Sequence, residues 1–482
     1  MYSYRSCYVN FAGHLLNAYN PNMLHPKLRH RWSDSDWIQF VDMIADFGYN
    51  VFEFWLEPQF FSRNGLKSDY GRELARQMQI VIEQGQQRGV AVKLLAALST
   101  VGADWHTHCP NDPAEWHEVR TLWGEWLGRF EGLGLVGIFP GDPGGCSRNG
   151  CTAETFIDKS LELAELVQRF QPRAVLELGT WGAPFFGWGN IQGPPGWRGE
   201  FIPSIQGTAW QFDAARADRA MGHLLNRLPD FPSTTQVAIN LGFNPDGDPE
   251  VPECAQDARP WAREIAKTHR IVTWDFSLTE GENAIFPHYR FSRLYAQRRR
   301  EHEAAPYDGG ICFTMTPRLN QLSLYQAAQS MIAPERDPAT VTCGFYTKLW
   351  GEGAGDLAEV LPVFEVYQDW GNHENIKITK TDFHQAMLRG VEILKSCSSS
   401  ATADRAFFPD SETYRQELIF FFKLFRDLSV PGADFDTIRT VYWNRVYAIY
   451  DQLADHVDPR PKANTDRLIH FFSRSDWEGT HE

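Results

Sequence analysis

One cycle constrains this chain more than any other feature. Eight short apolar runs, each followed by a helical stretch, fill residues 1–336 without an internal sequence repeat. Strands are predicted at Tyr4 to Phe11, Asn50 to Leu56, Val90 to Leu98, Leu135 to Phe139, Ala174 to Leu178, Gln236 to Phe243, Arg270 to Phe276 and Gly310 to Met315. The helices between them carry ordinary signals. Ser33 with Asp36 caps the first, and Trp37, Phe40, Val41 and Ile44 give it one buried stripe. Gly89 ends the second, and Thr152 caps the fourth.

Eight β-then-α units predict either a (β/α)8 TIM barrel or a doubly wound sheet. Strands covered on both faces read as continuous apolar runs. Here Phe52, Phe54 and Leu56 alternate with Glu53, Trp55 and Glu57, and Val237 and Ile239 alternate with Gln236, Ala238 and Asn240. Ile311, Phe313 and Met315 alternate with Cys312, Thr314 and Thr316. One apolar and one mixed face per strand favours the barrel, with the mixed face in the lumen. From residue 337 to 482 only helices are expected, as an α-helical C-terminal domain: Gly353 to Trp370, Thr381 to Ser396, Ser411 to Leu428 and Phe435 to His456.

Composition removes other classes. Hydrophobic residues at 43% and aromatics at 14% exclude disorder. A net charge of −15 argues against a nucleic-acid partner. No run of about 18 apolar residues offers a membrane span. The N-terminus shows no basic stretch followed by an apolar one, so no signal peptide is expected; the chain is cytoplasmic or has lost a leader. Cys7 and Cys312 lie in strand-like runs and read as buried thiols. A homo-oligomer is left open.

Barrel enzymes place their chemistry at the C-terminal strand ends. The candidates there are Tyr8, Asn10, His14 and Asn17 after strand one, and Glu53, Trp55 and Glu57 on strand two. Lys93 follows on strand three, Asp142 after strand four, and Glu177 and Trp181 after strand five. Trp210, Asn240, Asn244, Asp246, Asp248, Asp275, His288, Thr314 and Thr316 complete the set. Carboxylates among tryptophans suit sugar cleavage. One acid protonates the leaving oxygen, a second carboxylate is base or nucleophile, and aromatic faces hold the ring. Asp142, Asp275, Glu57 and Glu177 are the catalytic candidates. Asn10, His14, Trp55, Lys93, Trp181, Trp210, Asn240, Asn244 and His288 are the substrate-binding ones.

Each has a plainer alternative. Glu53, Lys93 and Glu177 can be a buried ion cluster filling the lumen, Asp142 a turn residue and Asp275 a loop cap. Asp246 and Asp248 sit in Pro-Asp-Gly-Asp-Pro, where the turn is favoured. His106, His108, Cys109, Cys146 and Cys151 lie in two adjacent loops and can bind zinc, or Cys146 and Cys151 can pair; no finger spacing matches, and no cofactor is assigned. Arg298-Arg299-Arg300-Glu301 reads as a solvated helix face. Lys93, Arg198 and Arg290 are candidate partners for a uronic acid.

The stretch Gly137-Ile138-Phe139-Pro140-Gly141-Asp142-Pro143-Gly144-Gly145-Cys146 resembles the barrel glycosidases related to α-glucuronidases and β-hexosaminidases. Thr273-Trp274-Asp275-Phe276, Phe286-Pro287-His288-Tyr289, Tyr307-Asp308-Gly309-Gly310 and Trp350-Gly351-Glu352 add to the resemblance. It implies a (β/α)8 glycoside hydrolase with an attached helical region. It further implies cleavage at chain ends with Asp142 as the acid, and says little about the substrate; a plant or algal polysaccharide or oligosaccharide is the expectation. Hexosaminidase-like members place two adjacent carboxylates after strand four; here Pro143 follows Asp142. Strand one starts near residue 4, so the α/β domain many members carry ahead of the barrel is not expected. A metal-dependent barrel enzyme and a non-catalytic sugar-binding barrel are the rival readings.

Overall fold

In the computed structural model the described residues are 2–9, 33–56, 58, 60–102, 106–141, 145–146, 148–180, 214–239, 259–275, 289, 291–304, 306–314, 317–366, 378–398, 407–408, 410–430, 432–438 and 440–441. Eight strands close into a barrel: β1 (Tyr4–Val9), β2 (Val51–Trp55), β3 (Ala91–Ala97), β4 (Leu135–Phe139), β5 (Val175–Gly179), β6 (Gln236–Ala238), β7 (Arg270–Asp275) and β8 (Gly309–Thr314). Every neighbouring pair is parallel, and β8 closes on β1. All eight C-terminal ends therefore share one rim.

The helices follow from local chemistry. Ser33 and Asp36 form a reciprocal capping box on α1 (Asp34–Phe47), and Gly48 ends it at φ 103°. Gly89 closes α2 (Asp69–Arg88) in the left-handed conformation. Asp112 caps α3 (Pro113–Leu127), with Pro113 at its first turn. Its Trp116, Trp123 and Trp126 are buried. α4 (Ala153–Phe170), α5 (Ala214–Arg227), α6 (Arg259–Ile265), α7 (Phe291–Ala304) and α8 (Gln321–Ile332) complete the ring. The structure adds a two-residue hairpin, Thr100–Val101 against His106–Thr107, that the sequence pattern does not show.

Past the barrel the helical expectation holds with two changes. Thr381 to Ser396 and Ser411 to Leu428 correspond to α11 (Lys380–Ser396) and α12 (Ser411–Leu428). An additional helix, α9 (Pro338–Trp350), is capped by Asp337. The single helix expected from Gly353 is instead a 3-10 turn (Glu352–Asp356), one helical turn, α10 (Leu357–Val360), and another 3-10 turn (Leu361–Val366). Two glycines and Pro362 explain the interruption. The region shares a continuous core with the barrel helices: Phe345 meets Phe47 at 6.0 Å and Phe364 meets Tyr289 at 5.0 Å between ring centroids. Phe435 to His456 lies largely outside the described residues. No described helix is long and apolar enough to cross a membrane.

Two sequence readings are corrected. On β8, Ile311 and Phe313 belong to the lumen cluster, while Cys312 packs with Cys7 and Val9 outside it. Thr314 pairs with Val9 and so stands in the helix-facing series, not the lumen. Nor is Arg298-to-Glu301 a solvated face. Arg298 and Glu301 are buried, with only Arg299 of the described members exposed. Glu301 accepts from Arg298 (2.8 Å), Tyr2 (3.1 Å), Thr273 (3.0 Å) and Gln297 (3.1 Å). Gly310 makes room, since a Cβ there would lie 2.8 Å from the Arg298 guanidinium.

Candidate active site

The lumen is built in two kinds of layer. Near the rim it is aromatic: Tyr8, Trp55, Phe139 and Phe313 stand at or next to strand ends and are all buried. Tyr8 leans on Phe313 at 5.0 Å, and Trp55 meets Phe139 edge to face at 5.8 Å. Deeper lies a charged cluster without solvent exposure. Lys93 on β3 donates to Glu53 on β2 (2.6 Å) and to Glu177 on β5. Gln236 donates to the other Glu177 oxygen at 2.6 Å, and the Tyr4 hydroxyl donates to it at 3.3 Å. Tyr4 and Gln236 are not among the sequence candidates, although alternation sets Gln236 on the mixed face of its strand.

Lys93 crosses β4 to reach Glu177, and a glycine permits this. Gly137 pairs with both Leu95 and Glu177, and a Cβ on it would lie 2.7 Å from Lys93 Cε and 2.7 Å from Leu95 Cδ1. Glycine inside a strand often marks such a close approach. Gly137→Ala is therefore expected to destabilise the fold by about 1–3 kcal/mol through overpacking. Urea unfolding at fixed pH measures it, and an unchanged midpoint would contradict the packing argument.

Burial dominates the ionisation of this cluster. It pushes Glu53 up to about 7, Lys93 opposing and Glu177 adding to the shift. Burial also works against charge on Lys93, but the two carboxylates outweigh it and raise its pKa. Between 4.5 and about 7 the folded chain keeps a proton on Glu53 that the unfolded chain has released. The stability this contributes is full below the unfolded value and is lost as pH rises through the folded one. The urea midpoint should thus fall between about pH 5 and 8, and Glu53→Gln should flatten that fall. Parallel profiles for the two proteins would refute the assignment.

The other candidates divide by position. Asp142, Glu57, Asn10, His14, Trp181, Trp210, Asn240, Asn244 and His288 lie outside the described residues. The strand ends before Asn10, Glu57, Asp142, Trp181 and Asn240 all belong to the one rim. Asp275 is the last residue of β7, and its backbone pairs with Cys312, which packs on the helix side of β8. After β4, Gly141 takes φ 122°, a conformation that favours glycine one residue before Asp142.

The expected histidine and cysteine loops do meet. Cys109, Cys146 and Cys151 have sulfurs within 4.8 Å of one another, and no disulfide joins them. His106, His108 and Glu115 form a second, half-buried group beside them. Arg148, not flagged by the sequence, binds Glu115 at 2.7 Å and the Thr107 carbonyl at 2.9 Å.

No family model matches the chain, and no curated protein matches its sequence. Solved structures match its fold. A family 89 glycoside hydrolase of Clostridium perfringens (CpGH89), solved with its substrate GlcNAc-α-1,4-galactose, aligns with TM-score 0.53 and 12% identity, over 89% of this chain and 50% of its own. A GH138 enzyme targeting pectin rhamnogalacturonan II aligns with TM-score 0.50 and 9% identity, over 94% of this chain and 63% of its own. CpGH84B aligns with TM-score 0.50 and 9% identity, over 98% of this chain and 77% of its own. This chain thus spans 50% to 77% of these three structures. It has the TIM-barrel fold of these glycoside hydrolases, with helices beyond the barrel.

Proposed function

We propose that the chain is a glycoside hydrolase, exo-acting on a plant or algal polysaccharide or oligosaccharide, with Asp142 as general acid. The observation that carries this reading is the closed parallel barrel, which gathers on one rim the strand ends that lead into Glu57 and Asp142. Glu57 is the favoured second carboxylate. In the sequence it continues the alternation of Glu53 and Trp55, both lumen residues. Glu177 has both oxygens engaged and no exposure, and Lys93 is enclosed with it. Both suit a structural role better than substrate contact. The register of Asp275 gives it less support than Glu57. Trp55 belongs to the aromatic floor of the site, under a sugar ring. Retention or inversion follows from the carboxyl separation, about 5–5.5 Å or about 6.5–9.5 Å respectively.

The deciding experiment measures hydrolysis of an oligosaccharide panel by wild type, Asp142→Asn, Glu57→Gln and Asp275→Asn. Strong loss in the first two variants, with Asp275→Asn less affected, is expected. Wild-type turnover by all three would end the assignment. Binding of sugars without product from the wild type would favour the non-catalytic barrel instead.

A further inference from the structure

Three cysteines from two chain segments converge beside the rim. Cys109 follows β3; Cys146 and Cys151 follow β4. All three are buried, and Cys109 Sγ lies 3.6 Å from Cys151 Sγ. Two N–H groups are aimed at sulfur: the Arg148 amide at Cys146 Sγ (3.3 Å) and the Asn149 side-chain amide at Cys109 Sγ (3.4 Å). Such donors favour thiolate over thiol.

The local backbone is shaped to bring the sulfurs in. Asn149 takes φ 50° and Gly150 φ 70°, so the chain turns back within the four residues separating Cys146 from Cys151. Arg148 braces the turn from outside, its guanidinium held by Glu115 and the Thr107 carbonyl. In a tetrahedral site a zinc–sulfur bond of about 2.3 Å puts two sulfurs about 3.8 Å apart. The Cys109–Cys151 spacing already matches that. A disulfide would use two of the sulfurs and leave the third packed against it. The neighbouring group of His106, His108 and Glu115 is a poorer cation site, because Glu115 already accepts from Arg148 and from the Cys109 amide.

We propose that Cys109, Cys146 and Cys151 are the thiolate ligands of a structural zinc ion, completed by one non-sulfur ligand, that ties the segment after β3 to the segment after β4. The proposal does not depend on the glycosidase reading. Its consequence for the fold is anchorage: the segment from β4 to Cys151, which also carries Asp142, would be pinned to the adjacent loop.

The test uses the full chain, produced with zinc in the medium and purified under reducing conditions without chelator. Elemental analysis should find about one zinc per chain in the wild type and in Cys343→Ser, whose cysteine is exposed elsewhere. Cys109→Ser, Cys146→Ser and Cys151→Ser should each lose it while keeping wild-type circular dichroism. Because a variant can fail to fold, the wild type is also stripped and loaded with cobalt. An intense sulfur-to-cobalt charge-transfer band with tetrahedral visible bands, abolished by added zinc, is expected. Absence of both zinc and that band in the wild type overturns the site. So does retention of zinc by all three folded serine variants, or a disulfide between any two of these cysteines in the protein as isolated.

Discussion

Asp142→Asn is expected to lower kcat on an oligosaccharide by about 10²–10⁴-fold, the usual worth of a positioned acid. Thermal unfolding should barely change, since the substitution keeps shape and removes only the proton. A second substrate separates this role from the other carboxylate's. An aryl glycoside with a strongly acidic phenol departs without protonation, so Asp142→Asn should retain most of its activity there. Glu57→Gln should lose comparable activity on both substrates, because a base or nucleophile is needed whatever the leaving group. Equal losses for Asp142→Asn on the two substrates would remove it as the acid. The left-handed Gly141 adds a companion expectation. A side chain at that position would strain the turn and displace the residue after it, so Gly141→Ala should lower kcat without changing the leaving-group pattern.

The barrel was legible because a period of two and a period of 3.6 write different patterns, and the chain switches between them eight times. Caps were legible where side chain and backbone satisfy each other locally, as at Ser33, Asp36 and Gly89. Errors arose where local pattern carries no information about the partner. On β8 the apolar face of Ile311 and Phe313 meets the lumen and the mixed face of Cys312 and Thr314 meets the helices, the reverse of what alternation suggested. Arg298 and Glu301 look solvated by composition, yet a glycine on β8, two hydroxyls from distant elements (Tyr2 and Thr273) and the Gln297 amide of the same helix receive them. α9 carries four β-branched residues and one glycine, which weakened its helical signal; Asp337 followed by Pro338 was the cue that marked its start. The sequence correctly offered a lumen ion cluster at Glu53, Lys93 and Glu177 as one alternative. The Tyr4 and Gln236 contacts depend on barrel closure and register, which no local window contains.

That cluster has the largest expected effect on stability. Lys93→Met removes the only cation among its described members and leaves Glu53 and Glu177 facing each other in a sealed lumen. Breaking a buried pair from one side typically costs about 3–5 kcal/mol, because the orphaned charge is not rehydrated. The loss should be larger at pH 8 than at pH 5, since Glu53, already pushed up to about 7, can take a proton at the lower pH. Adding Glu53→Gln to Lys93→Met should recover part of the loss, as the amide carries no charge to strand. Adding Glu177→Gln as well should recover more, provided Tyr4 and Gln236 still hydrogen-bond the new amide. Urea unfolding of the single, double and triple variants gives each step. Glu177→Gln alone also separates structure from catalysis: a structural carboxylate lowers the urea midpoint and leaves kcat within about tenfold, whereas a catalytic one costs about 10²–10⁴-fold in kcat. If Lys93→Met unfolds at the wild-type midpoint at both pH values, the lumen charges are not coupled and the structural assignment of Glu177 falls with them.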